Sequence, residues 1–162
     1  MILDEVLVRF MSEGRNYASI GLEHAEVLEL IDSEVWLRMA SIDHQGQIWN
    51  IPTHYVRIGN TIYFDEEPDS ILINNLETSP SVNAVVDTGY SYDDVKGVIL
   101  PGTVSTVDDR EVEDLVALEI KKKYTSLTGR PPLQDFKERV ILKFELPECP
   151  ESLSWHYGKK HF

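Results

Sequence analysis

Cysteine occurs once in this 162-residue chain, at Cys149. No disulfide can form within the chain, and a reducing compartment is expected. Basic residues are few: 15 Lys and Arg face 28 Asp and Glu, a formal charge of −13. Nucleic acid and anionic membrane surfaces are excluded as default partners, because binding either needs a basic face. Apolar residues make up 42% of the chain, but no uninterrupted run is long enough to cross a bilayer as a helix. The opening MILDEVLVRF sets acids among its apolar residues, whereas a secretion signal carries a basic segment and then a greasy one. A cytosolic protein is expected. A Ser-His-Asp elbow, a phosphate loop and a Gly-rich dinucleotide turn are also missing. His24, His44, His156 and His161 show no ligand spacing, so no metal site is expected.

The chain is long enough to bury one core without disulfides or metals. Ile2, Leu3, Val6, Leu7, Phe10 and Met11 recur at helical spacing and predict a short helical extension within residues 1–20. Residues 21–162 then form the main domain. A helix is predicted over about 22–32, with Ala25, Leu28 and Ile31 on one face and Val27 and Leu30 beside it. Three strand-like runs follow, VWLRMASI (35–42), IWNIPTHYV (48–56) and TIYF (61–64), joined by short turns containing Gly46 and Gly59. They read as an antiparallel meander. Pro52 cannot donate to a strand ladder, so it implies an edge, a bulge or an opening.

A helix over 69–77 ends at Ser79-Pro80, and SVNAVVDTG (81–89) alternates as a strand. GVILPGTVSTV (97–107) is a strand with a bulge or bend expected at Pro101-Gly102. The longest helix is predicted over 109–128, with Val112, Leu115, Val116 and Ile120 inward and Gly129 at its end. Its Lys121-Lys122-Lys123 cluster complements the dipole of a helix with an acidic start and needs no ligand. ERVILKFEL (138–146) is a sixth strand and ESLSWHYG (151–158) a possible seventh. The pattern argues an α+β fold: an antiparallel six- or seven-stranded split β-barrel with peripheral helices.

Three groups of residues resemble the pyridoxamine 5′-phosphate oxidase-like split-barrel family, in its small single-domain flavin-binding branch. They are Arg38-Met-Ala-Ser-Ile-Asp43 with Gly46 and Pro52; Tyr63-Phe64 with Ser70, Asn75, Leu76 and Pro80; and Leu153-Ser-Trp-His-Tyr-Gly158. The resemblance covers roughly residues 22–158. It implies a homodimer with flavin mononucleotide (FMN) in two clefts between subunits, acting as an oxidoreductase on a small molecule. Deazaflavin or haem replaces FMN in some members. The resemblance places the ring along the first two strands and the phosphate at the junction after the third. Arg38, Ser70 and Lys96 are then expected at the phosphate, and Ser41, Thr53, His54 and Asn75 along the ring and ribitol. Trp155 is expected near the dimer cleft. For His54, a hydrogen-bonded structural role is the plainer alternative, and core packing is the plainer one for Trp155.

One stretch disagrees with the family pattern. DEEPDSILINN places Leu72 where the family carries a phosphate-binding lysine, two positions after the serine, and it crowds Asp65, Glu66, Glu67 and Asp69 ahead of the helix. A half-buried phosphate must be paired with cations or oriented donors. Either cations from elsewhere serve it, or the acids themselves occupy the helix start and the barrel is a non-catalytic binding or stress-associated protein. A solvated charged loop is the third reading.

Overall fold

The computed structural model describes residues 20–133 and 138–161. The helix expected over 2–11 lies outside the described residues. Three helices, α1 (His24–Ser33), α2 (Ile71–Thr78) and α3 (Arg110–Thr128), accompany eight strands. The strands are β1 (Trp36–Ile42), β2 (Ile48–Ile58), β3 (Thr61–Glu66), β4 (Ser81–Thr88), β5 (Lys96–Thr103), β6 (Ser105–Thr106), β7 (Val140–Glu145) and β8 (Ser154–His156). They pair in the order β6-β7-β3-β2-β1-β4-β5-β8, every pair antiparallel. This is an α+β split barrel with helices at its periphery. There are eight strands because the run 97–107 divides at Val104.

β2 joins the two halves. Its first part, Ile48–His54, pairs with β1, and its second part, Tyr55–Ile58, pairs with β3. Pro52 therefore lies where β2 has a partner on one side only, so its missing N–H costs no ladder bond. Pro101 is placed in the same way: it stays in register with Asn83, and β8 reaches only Lys96–Val98 of β5. The bulge expected at Pro101-Gly102 is absent, since Gly102 continues the register opposite Val82. Gly102 serves packing instead. A Cβ there would stand 2.5 Å from the Phe144 ring of β7, where the two halves close on each other.

Alternation gives each strand two faces. The inner face carries Leu37 and Met39 of β1, Tyr55 of β2, Ile62 and Phe64 of β3, Ala84 of β4, Leu100 of β5 and Phe144 of β7, which form the main core with α1. The outer face of the β2–β3–β7 half is covered by α3, where Val116 and Ile120 meet Val56 and Ile141. Leu115 points to solvent instead of inward, because the buried stripe of α3 runs through Val116 and Ile120. On α1 the buried face is Val27, Leu30 and Ile31, with Leu28 half-buried and Ala25 exposed.

Lys123 corrects the dipole reading of the lysine cluster. It lies short of the last turn of α3 and reaches the C-terminus of α1, donating to the Ile31 carbonyl at 2.8 Å and lying 3.5 Å from the centre of the Tyr55 ring. Tyr55 donates to the same carbonyl at 2.5 Å. The cation therefore complements the dipole of α1 and not that of its own helix. Of the three lysines, Lys122 pairs within α3, with Glu119 at 2.6 Å.

Candidate functional site

The acidic junction follows β3, and strand alternation splits it. Asp65 lies on the outer side, like Tyr63, and Glu66 on the inner side, like Phe64. Each acid consequently meets a different set of partners.

Asp65 is fully buried. Arg139, just before β7, brings its Nε to 2.7 Å from Asp65 Oδ2 and donates through Nη2 to the Asp65 carbonyl at 3.1 Å. Its remaining reach goes to Glu67, with Nη1 3.3 Å from Oε1. Burial raises the Asp65 carboxyl above its usual range, opposed by Arg139 and by the nearby His54. Oδ1 of Asp65 has no hydrogen-bond partner among the described residues.

Glu66 is 7% exposed. Its carboxyl sits at the start of α2, near the Thr53 and Ser70 hydroxyls. Burial raises this carboxyl too; those hydroxyls and Arg139 oppose the rise, and Asp65 adds to it. Ser70 is the N-cap of α2, its hydroxyl accepting from the Ile73 N–H at 3.2 Å. The Thr53 hydroxyl donates to the Asp65 carbonyl, 3.1 Å away. Asn75, on the buried side of α2, donates to Ser41 of β1 at 2.9 Å.

The expected site residues thus divide. Ser41, Thr53, Ser70 and Asn75 gather around α2, on the inner side of β1 and β2, where Ser41, Thr53 and Asn75 are buried. Arg38 and His54 stand on the outer side. The Arg38 guanidinium is paired with Asp87 of β4. The His54 ring stacks on Trp36, centroids 4.5 Å apart, and meets the edge of Tyr124 from α3 at 4.9 Å. Trp155 of β8 lies on Gly97 of β5, so close that a Cβ there would come within 2.3 Å of the indole. Lys96 is paired with Thr88 and His156 at the end of β4 farthest from Ser81.

Leu72 is fully buried in the main core. The residue that sequence reasoning missed is Arg139. Its signal was the register of β3 with β7, which sets Glu66 opposite Val140 and brings the preceding residue to Asp65.

The outer face of β2-β1-β4-β5-β8 differs from the α3-covered half. Val85 and Ile99 lie on it side by side, Ala40 and Pro101 flank Asn83, and Trp155 lies over Gly97. Ile42 and Ile48, cross-strand partners at its end, are both exposed. Among the described residues no helix covers this face.

A curled sheet of antiparallel strands with peripheral helices defines the split-barrel class of folds. The sequence profile of the pyridoxamine 5′-phosphate oxidase family matches residues 23–149, and the chain belongs to that family. No curated protein matches it. Among solved structures it is similar to a conserved hypothetical protein of Mycobacterium tuberculosis (TM-score 0.74, 22% identity, 90% of this chain and 91% of that one). It is also similar to an FAD-binding protein of Mesorhizobium loti (TM-score 0.62, 18% identity, 78% and 91%). A third similar structure is a haem storage protein of Vibrio cholerae (TM-score 0.62, 15% identity, 77% and 90%). At such identities the likeness establishes the fold.

FMN, the group the family resemblance implies, brings a ring and a phosphate. The residues at the junction do not fit the phosphate. The Thr53 hydroxyl serves the Asp65 carbonyl, Ser70 caps α2, Arg139 serves Asp65 and Glu67, and position 72 is core. No helix among the described residues is long and apolar enough to cross a membrane.

Proposed function

We propose that two copies of this chain pair across the uncovered sheet face and hold a flavin-type ring in each of two clefts between them. The protein then acts as a cytosolic oxidoreductase on a small molecule. The observation that carries this reading is the face itself. Four strands, β1, β4, β5 and β8, present Ala40, Val85, Ile99, Pro101 and Trp155 outward, interrupted by Asn83, with no covering helix among the described residues, and an uncovered face that carries several apolar residues is a candidate interaction surface. Arg38 and Asp87 lie on it as a mutually neutralised pair, which lets it enter an interface without an unpaired charge.

A ring bound beside that face would supply the redox chemistry, and the chain would orient it and exclude water. Family membership and the fold shared with an FAD-binding protein support the flavin type. The lone exposed Cys149 supports a reducing cytosol. The test is light scattering together with an absorption spectrum of the purified protein and mass spectrometry of what it releases on denaturation. A dimer with a flavin or deazaflavin spectrum is the expected result. A monomer would remove the cleft.

A second reading is favoured by the occupied junction: a barrel of the same fold that binds without redox chemistry. A colourless protein that takes up neither riboflavin nor FMN would establish it. A Soret band would point to haem, as the shared fold with a haem storage protein allows.

A further inference from the structure

We propose that Trp36 is the residue on which the ring stacks: its indole, fixed by His54 and Tyr124, is a prebuilt platform for a flat, uncharged heteroaromatic ligand. The inference rests on the ring-binding reading above and names the side chain that positions the ring.

The family resemblance sets His54 along the ring, but packing leaves little of its imidazole to offer. His54 is 7% exposed. Trp36 is stacked on it, with centroids 4.5 Å apart and planes at 27°, and Tyr124 of α3 meets it at right angles from 4.9 Å. Trp36 is the cross-strand partner of His54 on β1 and lies on the same outer side. It remains 42% exposed. The platform therefore runs from α3 through a buried imidazole to an open indole, and His54 acts through Trp36 instead of touching the ring.

The position of this stack matters as much as its composition. Helix α3 covers the outer side of β2, β3 and β7, and no helix among the described residues covers β1 and β4 beside them. Trp36 stands at the step between the two, at one end of the face assigned to the clefts. An indole left in water forgoes one of the largest gains that burial offers a side chain. Its orientation is already set by the stack, so a ring laid on it orders little that was free. Indole is electron-rich and favours an offset, electron-poor ring, which isoalloxazine is. Arg38, on the same side of β1, is neutralised by Asp87, so the spot does not ask for an anion.

The experiment is a titration of lumiflavin, the ring without ribityl chain or phosphate, into the purified full chain, followed by flavin fluorescence. Binding with strong quenching is expected, because a stacked indole passes an electron to the excited ring, a signal that a merely structural tryptophan does not give. Trp36→Leu is expected to bind at least about tenfold more weakly, and Trp36→Phe to fall between. Melting curves and light scattering check the fold and the dimer in each variant. Trp36→Leu binding as tightly as the native chain would overturn this inference alone. A folded but monomeric Trp36→Leu would overturn it as well, and would assign Trp36 to the contact between subunits. Failure of the native chain to take up either lumiflavin or riboflavin would overturn the ring-binding reading, and this inference with it.

Discussion

Arg139 closes on Asp65 through both its side chain and its backbone: Nε is 2.7 Å from the carboxylate and Nη2 is 3.1 Å from the carbonyl of the same residue. Two segments 74 positions apart are tied at the base of β3 and β7 by a buried ion pair. Removing one partner leaves the other charge buried and unpaired. Arg139→Met should cost about 3–5 kcal/mol, read from urea unfolding. The double variant Asp65→Leu/Arg139→Met should recover most of that loss, because it leaves no stranded charge. A double variant no more stable than Arg139→Met would show that the pair does not act as a unit.

Leu72→Lys looks from sequence like the restoration of a phosphate site. The structure predicts a damaged core. Leu72 is fully buried among the main cluster, and an ammonium there must be neutralised or expelled at a cost of several kcal/mol. Thermal unfolding should show a much lower transition, or no folded protein. A Leu72→Lys variant as stable as the native chain would mean that the side chain reaches solvent by a route the packing does not show.

Lys123 gives a pH dependence with a definite sign. Burial lowers its pKa to about 7 from an ordinary 10.5, with Arg57 acting in the same direction and Asp32 and Glu34 opposing. Between those values the unfolded chain holds the proton and the folded chain does not, so stability rises with pH across the window. Below about 7 both states are charged, and the cost of burying the ammonium is present in full. Tyr55, whose hydroxyl burial raises well above its ordinary value, stays silent there. The measurement is the melting temperature of the native chain relative to Lys123→Met at each pH. That difference should move in favour of the native chain as pH rises from about 7 towards 10.5. A flat difference would mean that the amine is solvated.

Gly102→Ala tests the closure of the two barrel halves. The new methyl would stand 2.5 Å from Phe144, and Phe144 is itself held in the core. Overpacking of this kind costs about 1–3 kcal/mol, measurable as a lower urea midpoint. A neutral result would show that β5 and β7 can part without penalty.

Much of the barrel was legible because its signals are local. The β1–β2 turn shows this. Asp43 accepts from the backbone of Gln45 and Gln47 and from the Trp49 indole, and Gly46 adopts φ 82°. All of these sit within seven consecutive residues, so the sequence pattern could reveal them. Helix starts were equally readable at Asp109 and Ser70, whose side chains cap α3 and α2. Helix faces were less so. Ala25 and Leu115 fit an apolar stripe by spacing, but which side of a helix meets the sheet depends on crossing angles that spacing does not encode.

The candidate site was legible residue by residue but not as an arrangement. Ser41 and Asn75 meet, and Ser70 and Thr53 lie near Glu66, but on the inner side of the strands, while Arg38 and His54 stand on the outer side. A one-residue step along a strand changes the face, and that parity appears only once the register is known.

What the chain determined by itself is the set of elements, the order of the meander and the conflict at DEEPDS, where four acids crowd a helix start. What only the tertiary structure decided is how that conflict is resolved. Asp65 and Glu66 go to opposite faces of β3, one to an arginine brought from 74 positions away and one to the start of α2, near Thr53 and Ser70. Local chemistry fixes which groups need partners. Long-range strand pairing decides which partners arrive.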